Sequence, residues 1–120
     1  MKRDDENAGY RHARLTGLIE EELRALLNDE VTDPALHGVR VRAVVLSVDY
    51  RNARVHVTAP GDAAREREVR DEKTRALERA SGFLKRRLAD EIDLKRAPDL
   101  RFVFDGVDVP ATRPRDEGAG

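Results

Sequence analysis

The residues of this sequence best suited to chemistry are cations. Lys85-Arg86-Arg87 follows the small-residue joint Ala80-Ser81-Gly82 within one helical turn, and Arg79 stands just before that joint. Lys95 and Arg96 precede the last apolar alternation, while Arg40, Arg42, Arg51 and Arg54 fall within a β-branched stretch. Clustered guanidinium and ammonium groups are the side chains that neutralise phosphates. Asp90, Glu91 and Asp93 interrupt the set, so it makes a patch rather than a stripe. The net charge of −1 conceals this segregation. Residues 39–59 hold 4 basic and 1 acidic side chains and residues 79–104 hold 7 and 4, whereas residues 1–38 hold 5 and 9. Such a division fits a face turned toward a polyanion. On charge alone, a solvated arginine-rich face accounts for it equally well.

Other chemistries find little support. Cysteine is absent, which excludes a disulfide framework, a thiolate metal site and a thiol nucleophile. The three histidines, His12, His37 and His56, show no metal-ligand spacing, and His56 shares a strand face with Arg54. Neither serine, Ser47 or Ser81, lies in a nucleophile-elbow pattern. No phosphate loop or dinucleotide fingerprint is present. Carboxylates abound, but paired acid–base work needs a pocket that a domain with three short strands rarely builds. The expectation is a protein without catalysis, metal, cofactor or small-molecule substrate. The longest apolar run, Ala43-Val44-Val45-Leu46, is too short for a bilayer, and Met1-Lys2-Arg3-Asp4-Asp5-Glu6 lacks a secretory apolar region. A soluble cytoplasmic monomer is expected.

The elements that must position the cations follow from periodicity. Leu15, Leu18, Ile19, Leu23, Leu26 and Leu27 recur at three- and four-residue spacing, which predicts a helix over about 11–30. Asp33-Pro34 ends that region and Gly38 marks a turn. Residues 39–50 alternate as a strand with a change of phase near Ala43-Val44, which suits either a bulge or a strand that starts only there. A turn at Arg51-Asn52 then leads into Val55 and Val57, which alternate with Arg54, His56 and Thr58 as the second arm of a hairpin. Val69, Lys73, Ala76, Leu77 and Ala80 form a helical stripe, and Phe83, Leu84, Leu88 and Ile92 form another beyond Ser81-Gly82. A glycine inside a helix costs about 1 kcal/mol relative to alanine, so Gly82 predicts a break or kink between two helices. Leu100, Phe102 and Phe104 alternate as a third strand. The expected domain is α+β, with order α-β-β-α-α-β and helices on one face of a three-stranded sheet, spanning 11–105. Residues 1–10 and 106–120 are expected to be disordered.

Four motifs, in order, add a resemblance. They are Asp33-Pro34-Ala35-Leu36; Ser47-Val48-Asp49 with Ala53-Arg54-Val55-His56-Val57-Thr58; Ala80-Ser81-Gly82-Phe83; and Pro98-Asp99-Leu100-Arg101-Phe102 with Asp105. Together they resemble the ribosome-binding factor A family over about residues 11–105. The resemblance implies a type II KH-like fold, in which the Ala-x-Gly kink replaces the usual Gly-x-x-Gly loop. It further implies binding to the 30S subunit at its 16S rRNA, and help in late maturation including 5′-end processing, with no catalysis. Ser81 and Gly82 are the RNA contacts it implies. The charge pattern adds Arg79, Lys85, Arg86, Arg87, Lys95, Arg96, Arg51 and Arg54. His56 departs from the family's usual Tyr, and Gly106-Val107-Asp108-Val109-Pro110 replaces its Gly-x-Arg-Ile-like segment. An alternative from another class is a protein-interaction or oligomerisation module, using the leucine stripe of the first helix or the third strand as an edge.

Overall fold

The computed structural model describes residues 2–108 of the chain, with side chains described from Gly9 onward. Helix α1 spans Lys2–Ala25 and continues as a π-helical turn, Leu26–Glu30, closed by the Val31 N–H on the Leu26 carbonyl at 3.0 Å. The helix therefore takes in residues 2–10, which were expected to be disordered; acidic residue types near a helix start favour it there. Asp33 caps a single 3₁₀ turn, Pro34–Leu36, by accepting the Ala35 N–H at 3.0 Å. The acidic-proline pair thus shapes the connection after the helix rather than the helix end itself.

Strands β1 (Arg40–Leu46) and β2 (Asn52–Pro60) pair antiparallel, and β3 (Asp99–Asp108) pairs parallel to β2. The sheet order is β1-β2-β3. A bulge is present: the register shifts between Val41 and Ala43, which leaves Arg42 unpaired and keeps Val41, Val44 and Leu46 on the buried face. The hairpin turn lies at Ser47–Arg51 rather than at Arg51-Asn52. Ser47 Oγ donates to Asp49 Oδ1 at 2.7 Å and accepts the Asn52 N–H at 3.0 Å, so Ser-x-Asp builds this turn from side chains. Gly38 has φ +84°, and a Cβ there would meet Pro60 Cγ at 2.8 Å, so this position admits glycine alone. Strand β3 runs past the expected domain end at 105; the rest of the expected tail, 109–120, lies outside the described residues.

The expected helix pair is a single helix. Helix α2 runs unbroken over Glu66–Ile92 through Ser81 and Gly82. Ala76, Leu77, Leu84 and Leu88 are fully buried on both sides of Gly82. Each leucine buried contributes about 1.5–3 kcal/mol, more than the glycine penalty of about 1 kcal/mol. Ser81 Oγ donates back to the Glu78 carbonyl at 2.8 Å and so stays satisfied within the helix. The order is therefore α-β-β-α-β. Both helices cover one face of the sheet, over a core of Ile19, Leu23, Leu26, Ala53, Val55, Val57, Leu77, Leu84 and Leu88. The leucine stripe of α1 is largely consumed by that core, with Leu18 left 40% exposed.

Candidate nucleic-acid interface

On α2, Arg75, Arg79, Gly82 and Arg86 follow one another at intervals of four, three and four, and all four are exposed. They form one row on the solvent face. The missing side chain of Gly82 leaves a gap in it, over which Arg86 folds: a Cβ on Gly82 would sit 3.6 Å from Arg86 Nη1, an ordinary contact. Glycine is therefore not required here by packing in the free chain. Arg75 was legible from helical spacing with Arg79 but was not singled out by the motifs.

Two of the expected cations are tied to carboxylates of the α1–β1 connection. Arg79 Nη2 donates to Asp33 Oδ2 at 3.0 Å. The Ala35 N–H, and after it the Arg79 guanidinium, hold the Asp33 carboxyl below its ordinary range. Arg87 donates to Glu30 at 3.1 Å and to Glu91 at 3.2 Å, and its guanidinium lies 5.8 Å from the centre of the Phe83 ring. Glu30, Asp33, Arg79, Ala80 and Phe83 line a shallow cleft beside the joint. This part of the surface is charge-balanced rather than positive.

Positive charge collects instead where β2 and β3 begin. Lys85 Nζ bonds Asp99 Oδ1 at 2.5 Å, which holds the Asp99 carboxyl low and ties α2 to the start of β3. The Asp99 N–H donates to the Arg51 carbonyl at 2.8 Å. In the parallel register Asn52 lies beside Asp99 and Arg54 beside Arg101. Arg51, Arg54 and Arg101 thus gather at one end of the sheet, with Lys95 and Arg96 in the segment that enters β3. All five are exposed, and none makes an ion pair to another described residue. Arg40 and Arg42 stay on β1 at the opposite edge, where Arg40 faces Asp108 at 3.5 Å.

The ten expected contact residues are therefore distributed over two adjoining surfaces. Ser81, Gly82, Arg79 and Arg86 belong with the α2 row, and Arg51, Arg54, Lys95 and Arg96 with the sheet end. Lys85 bridges the two through Asp99, while Arg87 turns to Glu30 and Glu91. Arg101 joins the sheet end only through the β2–β3 register, which no local spacing announces. Exposed guanidinium and ammonium groups at the sheet end are chemically suited to hold a phosphate backbone. Among the described residues no group of three or more histidine, cysteine, aspartate or glutamate side chains is arranged to hold a metal ion, and no helix is long and apolar enough to cross a membrane.

A family model described as "Ribosome-binding factor A" matches residues 11–113. A relative of that name from Heliobacterium modesticaldum is 40% identical over 98 residues, which cover 82% of this chain and 78% of that protein. The crystal structure of ribosome-binding factor A from Thermus thermophilus superposes with a TM-score of 0.56 at 32% identity, covering 79% of this chain and 92% of that one. A homology model of the Thermus thermophilus protein, fitted into the cryo-EM map of a 30S complex, is similar with a TM-score of 0.50 at 32% identity, covering 77% and 88%. The fold is α+β and KH-like, with two helices on one face of a mixed sheet. The order of the motifs, the sheet that carries them and the similarity over most of the chain agree: this chain belongs to the ribosome-binding factor A family.

Proposed function

We propose that this protein binds the 30S ribosomal subunit at its 16S rRNA and assists late maturation, including processing of the rRNA 5′ end, by binding and without catalysis. The observation that carries this reading is the sheet end, where Arg51, Arg54, Arg101, Lys95 and Arg96 are exposed and make no ion pair to another described residue, with the exposed α2 row as a second basic surface. Family membership supports the choice of partner, and the Thermus thermophilus protein fitted into the map of a 30S complex supports the small subunit in particular. The protein acts as a monomer in this reading, because the leucine stripe of α1 is spent on its own core.

Co-sedimentation with 30S particles across a salt series tests the reading. If roughly four to six phosphates are engaged, the log–log slope is about −3 to −4 for single-stranded contacts. Loss of all association at low salt would remove the reading. Lys85→Glu combined with Arg86→Glu weakens association several-fold and leaves thermal unfolding nearly unchanged, since the Lys85–Asp99 pair is exposed and exposed pairs are worth little. An equal loss of folding would make these side chains structural.

A further inference from the structure

The β1–β2 turn carries an aromatic feature that the phosphate contacts leave unused. Tyr50 has φ +65°, the left-handed region that a bulky residue rarely occupies. Its ring stacks on His12 of α1, with centroids 5.4 Å apart and planes 26° apart. His12 is itself fixed, because Nε2 donates to the carbonyls of Leu46 at 2.9 Å and Ser47 at 3.2 Å. The turn below is locked by Ser47, Asp49 and the Tyr50 N–H, which donates to the Ser47 carbonyl at 3.0 Å. Yet Tyr50 stays 41% exposed and its neighbour Val48 is 91% exposed. An unusual backbone conformation, held by a set of local hydrogen bonds, thus presents an aromatic ring to solvent instead of burying it. Asn or Gly would suit that backbone better and would serve if the turn were only a turn.

We propose that Tyr50, braced by His12, is a stacking platform for one unpaired nucleobase of the bound RNA. The chemistry follows from what surrounds it. Arg51 is the next residue; it is exposed and makes no ion pair to another described residue, so a phosphate held by Arg51 lies one residue along the chain from the Tyr50 ring, whereas Arg54 and Arg101 face the side of the sheet away from the helices. Every base has a π-face, so the contact is tolerant of sequence, and His12 behind the ring prevents it from yielding. The Asp49 carboxylate is the one acidic group in the turn; it is occupied by the Ser47 hydroxyl and the Arg51 N–H rather than aimed at a ligand. The platform supplies affinity that salt does not screen, beside contacts that salt does. It rests on the RNA-binding reading and adds a separate contact to it.

The chain has no tryptophan and two tyrosines, so a Tyr10→Phe background reports Tyr50 emission alone. Titration with oligouridylate quenches that emission if a base stacks on the ring. Tyr50→Asn, which keeps a residue suited to the left-handed region, lowers affinity for the same oligonucleotide about 5- to 100-fold. Its salt slope stays that of the wild type, because no phosphate contact is lost. Tyr50→Phe binds within about twofold of wild type. Unquenched Tyr50 emission at saturating oligonucleotide overturns the proposal, and that readout stands whether or not Tyr50→Asn folds. Association with 30S particles separates the two levels: if wild type and a folded Tyr50→Asn co-sediment equally, the platform fails alone. If the wild type binds no particle, the RNA reading itself fails.

Discussion

Gly82 shows how a residue's type can mislead about its geometry. Its type suggested a broken helix, yet the helix runs through it, and a methyl group there would make only an ordinary contact with Arg86. Gly82→Ala should therefore stabilise the free protein by about 0.5–1 kcal/mol, the usual gain in a helix interior. If the backbone at Gly82 contacts RNA as proposed, the same substitution weakens association with 30S particles, because a β-carbon would stand in that contact. Thermal unfolding alongside co-sedimentation checks both halves; a variant both more stable and equally bound would remove Gly82 from the interface. The turn aspartates make a second prediction. Asp33, Asp49 and Asp99 are all held below the ordinary carboxyl range, by the Ala35 N–H and Arg79, by the Ser47 hydroxyl and Arg51 N–H, and by Lys85 respectively. A depressed carboxyl stabilises the fold above its unfolded value of about 3.9 and loses that contribution as pH falls through the folded value. Melting temperature should hold level from neutral pH to about pH 5 and then decline, with Asp49→Asn declining less steeply from a lower start. An Asp49→Asn acid profile parallel to that of wild type would exclude this carboxyl as a contributor.

At the scale of elements, the strands and the first helix were legible because their apolar residues repeat with the periods of their structures. The phase change near Ala43-Val44 left a bulge or a late strand start open, and the register shift between Val41 and Ala43 decides for the bulge. The hairpin turn was misplaced because its residues are held by Ser47 and Asp49 side chains rather than by a Gly or Pro signal. Helix α2 was split on a local penalty that burial outweighs. If Leu84 joins the two halves of that helix to the core, Leu84→Ala should cost about 2–5 kcal/mol, as it is fully buried. Half-buried Phe83→Ala should cost clearly less. Denaturant unfolding of the two variants decides this, and equal losses would put Phe83 in the core on the same footing as Leu84.

For the whole molecule, the proposed function depends on which cations share a surface, and the parallel pairing of β2 with β3 brings Arg54 beside Arg101. Arg101→Glu should accordingly weaken 30S association and reduce the magnitude of the salt slope by about 1. Arg67→Glu, on the exposed first turn of α2, should leave both unchanged. Equal effects would mean that overall charge, not the sheet end, governs binding. The α+β class, the covered sheet face and the two basic segments were legible in the sequence alone, because each rests on residue type and near-neighbour spacing, and the order of four motifs added the family resemblance. Which cations are tied to carboxylates was decided only by tertiary structure. Arg79 and Arg87 are neutralised by Asp33 and Glu30, which lie 46 and 57 positions away along the chain. Tyr50 is braced by His12 from another element, and Gly82 sits in an unbroken helix. Each of these depends on contacts between distant residues, whose energies no local pattern contains.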